Sequence, residues 1–321
     1  MRVIFFGTPE FAVPSLVKIH KAGFEIVGVI TAKEKPKGRG LLTSPSPIKI
    51  KAQELELEVY EPEDPNCREC YELLAQKKPE VGVLVAYGYL IKRELLNLPT
   101  KGFINLHPSL LPRYRGAAPI NWAIIHGEKE TGVTTFFMNE KMDAGKIICQ
   151  EIVTIGPDET FGELSNRLAE LGAELLVATL KMISQGNYQT IAQDDQKVTF
   201  APKIKDKDRL IDWTKTNLEI HNRIRGLSPT PTAYTYFRGK RVEIFRSTLI
   251  TKDQPQELEP GTILVPSKDL IVATGKGLLN ITQLKMEGHK LITGRDFING
   301  QRISFGERFA QPILGNGERD N

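Results

Sequence analysis

The chain has 321 residues, 40% hydrophobic and 26% charged, a length that suggests two domains and a composition ordinary for a globular protein. No apolar run approaches the ~20 residues of a membrane-spanning helix, the first residues lack the charged, apolar, small-residue order of a signal peptide, and three cysteines are too few for a disulfide framework, so a reducing cytoplasm is the expected compartment. The formal charge of +4 is uneven, with 19 Lys/Arg against 14 Asp/Glu in residues 205–321 and 24 against 25 before them; a basic second part is compatible with a polyanion such as RNA, although a solvated basic face has the same composition.

Residues 2–6 read as a buried strand, Gly7-Thr8-Pro9 as the turn after it, and 10–22 as a helix ending near Gly23. Residues 25–31, EIVGVIT, make a second strand, and this strand–turn–helix–strand order predicts a parallel, Rossmann-like α/β unit. A dinucleotide is not expected there. The G-x-G-x-x-G fingerprint is missing, and the second strand ends in Thr31-Ala32 rather than in an acid for a ribose. Residues 32–47 are rich in Lys, Gly, Pro and Ser and read as a long loop, either functional or a solvated excursion. A helix follows from Ile48 to about Leu55. Cys67 and Cys70 form a C-x-x-C in a polar, helical stretch, but no second such pair or nearby His completes a ligand set, and no metal is expected. Residues 81–86, VGVLVA, form an apolar strand leading to Tyr87-Gly88-Tyr89, a position where open α/β sheets place ligands. A short helix lies near 92–97.

Chemistry concentrates in residues 103–119, FINLHPSLLPRYRGAAP. A strand over 102–106 is stopped by Pro108, and on a strand Asn105 and His107 share one face. An amide that donates a hydrogen bond beside an imidazole suits acyl transfer, because the amide can stabilise an oxyanion and the imidazole can move or polarise a proton. An isolated Asn-x-His more often does no more than satisfy a strand end. Arg113 and Arg115 flank Tyr114, and Gly116 to Ile120 open a helix with small residues that permit close backbone approach for packing or for a ligand. Residues 132–138 and 146–152 read as a hairpin whose turn holds Met142-Asp143-Ala144-Gly145; taken alone, Asp143 is an ordinary turn-former.

The clearest helix covers 161–184, with Thr160 and Glu163 as a capping box, Leu164, Leu168, Leu171, Leu175 and Ile183 on one face, and Gly186 closing it. Residues 189–206, with Phe200-Ala201-Pro202-Lys203, read as a linker between a first domain over 1–188 and a second over 207–308. The second opens with a helix from Thr216 to Leu227, carrying Arg223 and Arg225, and continues in close-spaced strands at 232–237, 241–248, 261–265, 269–273 and 278–284, the pattern of a small antiparallel barrel. Residues 309–321 are expected to be disordered.

INLHPSLLPRYRGAAP, followed by Met142-Asp143-Ala144-Gly145, resembles the formyltransferases that use 10-formyltetrahydrofolate, and the resemblance extends from Arg2 to about Gly306. It is strongest to the branch whose acceptor is methionine on charged initiator tRNA. The resemblance implies an α/β protein, a Rossmann-like formyltransferase domain with a parallel-rich sheet followed by an OB-like barrel, a fold that commonly binds nucleic acid. It implies 10-formyltetrahydrofolate as donor, initiator methionyl-tRNA as partner, no metal, no membrane and a monomer. It also implies that Asn105, His107 and Asp143 are catalytic, with Asp143 folded back to orient His107. The main chain of Ser109, Leu110, Leu111 and Pro112 would line the folate pterin site. Arg39, within Gly38-Arg39-Gly40, matches the arginine of a basic loop that reaches the acceptor end of the tRNA, with Lys35 and Lys37 adding phosphate contacts. Arg113 and Arg115 would lie near the active-site mouth, as weaker candidates for substrate contact. Two neighbouring activities stay open, formyl transfer to an amino sugar nucleotide and hydrolysis of 10-formyltetrahydrofolate. The basic loop speaks against the first, and the second has no need of a basic second domain.

Overall fold

The computed structural model describes residues 1–33, 44–251, 258–265 and 267–310. Lys35, Lys37 and Arg39 therefore lie outside the described residues. The chain divides into two units, the first made of Met1–Pro119, Glu130–Thr154 and Ser165–Pro202, the second of Ile120–Lys129, Ile155–Leu164 and Lys203–Asn321.

In chain order the elements up to residue 201 are β1 (Arg2–Gly7), α1 (Val13–Lys21), β2 (Glu25–Ile30), α2 (Pro47–Glu54), β3 (Val59–Tyr60), α3 (Arg68–Gln76), β4 (Val81–Val85), α4 (Arg93–Leu96), β5 (Phe103–His107), β6 (Arg115–Gly116), α5 (Pro119–Ile125), β7 (Glu130–Phe137), β8 (Ile147–Thr154), α6 (Phe161–Gln185) and β9 (Phe200–Ala201). The expected helix over 10–22 splits into a 3-10 turn, Glu10–Ala12, and α1, because Pro14 has no N–H for the interior of a helix and fits only its first turn.

Seven strands form one sheet in the order β3-β2-β1-β4-β5-β7-β8. The first five pair in parallel, whereas β7 and β8 add antiparallel as a hairpin. Val3, Ile4, Phe5 and Phe6 are wholly buried, as a strand covered on both faces requires; this is why β1 reads as a continuous apolar run rather than an alternation. β5 sits inside the sheet with all five residues buried, Leu84 of β4 beside Asn105 and Thr134 of β7 opposite His107. The expected linker contains β9, which pairs in parallel with β6, Arg115 beside Phe200 and Gly116 beside Ala201. A two-residue pairing has no periodicity to read from the sequence.

The second unit continues with α7 (Asp206–Arg209), α8 (Asn217–Gly226), β10 (Ala233–Phe237), β11 (Lys240–Ile250), β12 (Leu270–Ala273), β13 (Leu278–Met286), β14 (Ile292–Thr293) and α9 (Gly294–Gln301). Its antiparallel strands run β10-β11-β13-β12, with β14 on β13. Single bridges from Val272 to Ile263, Thr262 to Arg308 and Ala310 to Tyr236 carry the pairing from β12 round to β10, and so cover the edges an open sheet would expose. Phe309 and Ala310, expected in a disordered tail, thus complete the second unit. Phe309 is 1% exposed and stacks on Trp213 at 5.5 Å between ring centroids. α9 is absent from the sequence reading because two glycines in GRDFINGQ lower its propensity; the wholly buried Phe297 on its inner face supplies the packing that propensity lacks. Among the described residues no helix is long and apolar enough to cross a membrane.

His221 makes the second unit sensitive to acid. It is 2% exposed, its Nε2 donates to the Pro157 carbonyl at 3.2 Å and its Nδ1 accepts from the Ser247 hydroxyl at 3.0 Å, a neutral tautomer. Burial, aided by the Arg225 charge, holds its pKa below the ordinary 6.5 against the opposing pull of the Pro157 carbonyl and Asp158. The unfolded chain then takes up the proton first, so this stability is full above pH 6.5 and is lost as pH falls through the folded value. The carboxylates held below their ordinary range, Glu163 among them at about 2, act only below about pH 4.5. The denaturation midpoint is therefore expected to fall between pH 7.5 and 5, and to fall less in a His221→Gln protein; equal slopes in the two proteins would remove His221 as the cause.

Candidate active site

β5 ends where the sheet presents its C-terminal edge, and Pro108 turns the chain out of the ladder. Asn105, 9% exposed, and His107, 5% exposed, share a face of this strand end. Among the described residues no side-chain hydrogen bond uses the Asn105 amide, which leaves its donors available. The His107 ring is fixed by the chain that follows it. Its Nε2 lies 2.9 Å from the Tyr114 carbonyl oxygen, and because a carbonyl only accepts, Nε2 carries a hydrogen; in the neutral imidazole Nδ1 then carries the lone pair. That lone pair faces Oδ2 of Asp143 at 3.8 Å. The gap is longer than a hydrogen bond, and one N–H or O–H placed between the two acceptors can reach both. The imidazole is thus oriented by a main-chain oxygen, with the carboxylate beside it.

Asp143 arrives from the turn between β7 and β8. Gly145 lets the turn close, because a Cβ there would lie 1.6 Å from the Phe137 carbonyl oxygen. Asp143 itself has φ +51°, the left-handed region that Asp tolerates better than most residues. Its Oδ2 accepts the Gly116 N–H at 2.9 Å, and Gly116 is in turn pinned at φ +128°, where a Cβ would lie 2.6 Å from the Ala201 carbonyl oxygen. Gln193 closes the assembly. Its Nε2 donates to the carbonyls of Asp143 and Gly145, each at 2.8 Å, and its Oε1 accepts from Nε and Nη2 of Arg115 at 3.0 and 2.7 Å. Arg115 is buried and takes this structural part, while Arg113 lies over the Tyr114 ring at 5.4 Å.

Ser109 to Pro112 follow His107, and their carbonyls and the Leu111 N–H are engaged inside the unit. The Ser109 carbonyl accepts from Thr134 at 2.6 Å, Leu111 N–H donates to the same hydroxyl at 3.2 Å, and Gln150 donates to the Leu111 carbonyl at 2.9 Å. Arg113 N–H binds the Leu110 carbonyl and Thr199 N–H the Pro112 carbonyl. These bonds brace the end of β5, and the N–H groups of Ser109 and Leu110 take no part in them. A crevice of about 780 Å³ walled by Phe103, Phe137, Met138, Lys141, Ala144 and Gln193 lies beside the turn that carries Asp143, and Asn105, His107 and Asp143 are not among its lining residues. Cys67 caps α3, its sulfur accepting the Cys70 N–H at 3.4 Å. Burial pushes the Cys70 thiol up to about 11, which makes it a neutral core side chain rather than a thiolate. Among the described residues no group of three or more His, Cys, Asp or Glu is arranged to hold a metal.

The resemblance grouped Asn105, His107 and Asp143; the structure sets His107 Nδ1 3.8 Å from Asp143 Oδ2, with Asn105 two residues before His107 on β5. Sequence reasoning gave no part in the site to Tyr114, Gly116 (marked only as a point of close backbone approach), Thr134, Gln150 and Gln193. The first two act through backbone atoms and so leave no signal in a side chain; the other three are polar residues with no motif around them.

Residues 1–180 match the family described as formyl transferase, and residues 203–302 match the formyl transferase C-terminal domain. A methionyl-tRNA formyltransferase of Pelotomaculum thermopropionicum is 42% identical over 301 residues, 94% of this chain and 96% of that protein. One of Solibacter usitatus is 43% identical over 98% of this chain and all of that one. Among solved structures, an N-formyltransferase of Helicobacter canadensis, described in complex with folinic acid and dTDP-3-aminofucose, superposes with a TM-score of 0.67 at 22% identity, covering 87% of this chain and 98% of that one. A sugar 3N-formyl transferase, WlaRD, gives the same TM-score at 20% identity, covering 90% and 99%. At those identities the two structures speak for the fold alone.

Proposed function

The chain belongs to the formyl transferase family, and from that membership we propose that it transfers a formyl group from 10-formyltetrahydrofolate to the α-amine of methionine on charged initiator tRNA, as a cytoplasmic, monomeric enzyme of translation initiation. The choice of acceptor is supported by the near full-length identity to methionyl-tRNA formyltransferases. The observation that carries the chemistry is the juxtaposition of the His107 Nδ1 lone pair and the Asp143 carboxylate, 3.8 Å apart, on the strand end that also bears Asn105.

In this reading the neutral amine adds to the formyl carbon, and the carbonyl oxygen takes the negative charge. Asn105, whose amide is not engaged by other described side chains, donates to that oxygen. The attacking nitrogen must then lose a proton, and His107 Nδ1 and Asp143 Oδ2 offer two acceptors on either side of it. Collapse breaks the bond to N10 of the folate, which receives a proton from the same pair. The folate lies beside the end of β5, with the main chain of Ser109, Leu110, Leu111 and Pro112 lining its pterin. Lys35, Lys37 and Arg39, in the basic stretch after β2, contact phosphates near the acceptor end of the tRNA.

The test offers the purified protein a formyl-labelled donor with charged initiator tRNA, charged elongator tRNA, an amino sugar nucleotide, or water alone. Label is expected on the methionyl amine of the initiator tRNA. Label on the sugar, or release as formate at the same rate without acceptor, would overturn the assignment.

A further inference from the structure

We propose that Gln193 is a positioning residue for the transfer reaction, holding the Asp143 turn at its working distance from His107; this rests on the reading of Asp143 as a catalytic group. Four hydrogen bonds use the whole capacity of the Gln193 amide, two donated to the carbonyls of Asp143 and Gly145 and two accepted from the Arg115 guanidinium. The chemistry also orients the amide, since a carbonyl can only accept and a guanidinium can only donate; the flipped amide would oppose like groups at all four contacts.

The turn has few other restraints. Within it Ala144 N–H reaches the Lys141 carbonyl only at 3.4 Å and Lys141 N–H donates to the Asn139 side chain at 3.0 Å, neither of which grips the backbone of Asp143. Gln193 grips that backbone on both sides of Ala144, and Gly116, the residue after Arg115, holds the carboxylate. Backbone and side chain of Asp143 are thus tied to the same short strand, β6, which β9 locks in register. With both polar side-chain atoms of Gln193 engaged, its amide has no hydrogen bond left for a substrate, and a double-mutant cycle with Asp143→Asn separates an effect through Asp143 from a direct one.

Gln193→Met keeps the length of the side chain and removes all four bonds. It is expected to lower kcat about 10- to 100-fold, the scale of an ångström of misplacement, with KM for charged tRNA changed less than about 3-fold on the same argument. Gln193→Glu keeps the fork to Arg115 but sets a carboxylate oxygen against the Asp143 and Gly145 carbonyls, and is expected to be at least as slow. The decisive measurement is a double-mutant cycle with Asp143→Asn. If Gln193 acts through Asp143, Gln193→Met costs less than about 2-fold once the carboxylate is gone. An equal loss in both backgrounds, or wild-type kcat in the single variant, overturns the proposal. Wild-type kcat in Asp143→Asn alone would instead overturn the catalytic reading of Asp143. Thermal melts establish folding, and should Gln193→Met not fold, Arg115→Lys breaks the same clamp from its other end and is read in the same two backgrounds.

Discussion

Replacing His107 with alanine is expected to lower kcat by about 10²–10⁴, the range of a general acid–base group, with KM for the donor little changed. The imidazole meets the protein through one hydrogen bond, Nε2 to the Tyr114 carbonyl, so truncation removes the Nδ1 lone pair while leaving Asp143 held by Gly116 and Gln193. The carboxylate then has no partner acceptor across the 3.8 Å gap, and the proton leaving the amine has one path instead of two. Single-turnover measurement with donor and charged tRNA pre-bound isolates the chemical step. A rate within about 3-fold of wild type, far inside the range for such a group, would show that His107 is only a structural fixture at the end of β5.

Asn105→Ala is expected to cost about 10²–10³ in kcat, the usual size of one lost oxyanion donor, and little in stability. The two outcomes follow from one observation: the side chain spends no hydrogen bond on the described residues around it, so folding loses no bond on truncation, whereas the developing negative oxygen loses its donor. Asn105→Asp separates electrostatics from shape. It is close to isosteric, yet an ionised carboxylate cannot donate and repels the oxyanion, so its kcat should be no higher than that of the alanine variant. A large fall in melting temperature with unchanged kcat in folded protein would reverse the assignment and make Asn105 a structural residue.

The two halves of the site were unequally visible before the fold was known. Asn105 and His107 sit two apart on an apolar strand that Pro108 ends, and the period of a β-strand puts them on one face whatever surrounds them. Asp143 looked like an ordinary turn residue, and only the resemblance drew it to the pair. The pterin role of the loop Ser109 to Pro112 also came from the resemblance; the fold adds that its four carbonyls and the Leu111 amide bind Thr134, Gln150, Arg113 and Thr199. Likewise the expected linker supplies both β9 and Gln193, and the expected tail supplies Phe309, because pairings of one or two residues leave no pattern to detect.

What the amino-acid order determined unaided was the α/β class of the first unit and the antiparallel second unit, since periodicity and turn residues are local properties; the chemistry at the end of β5 came from the resemblance its motif carries. What the tertiary structure alone decided was the orientation of the His107 ring, the seating of Asp143 and the clamp of Gln193. These depend on backbone carbonyls and amides, which are the same at nearly every residue, and on distances between segments remote in the chain. Only folding makes one peptide group different from the next.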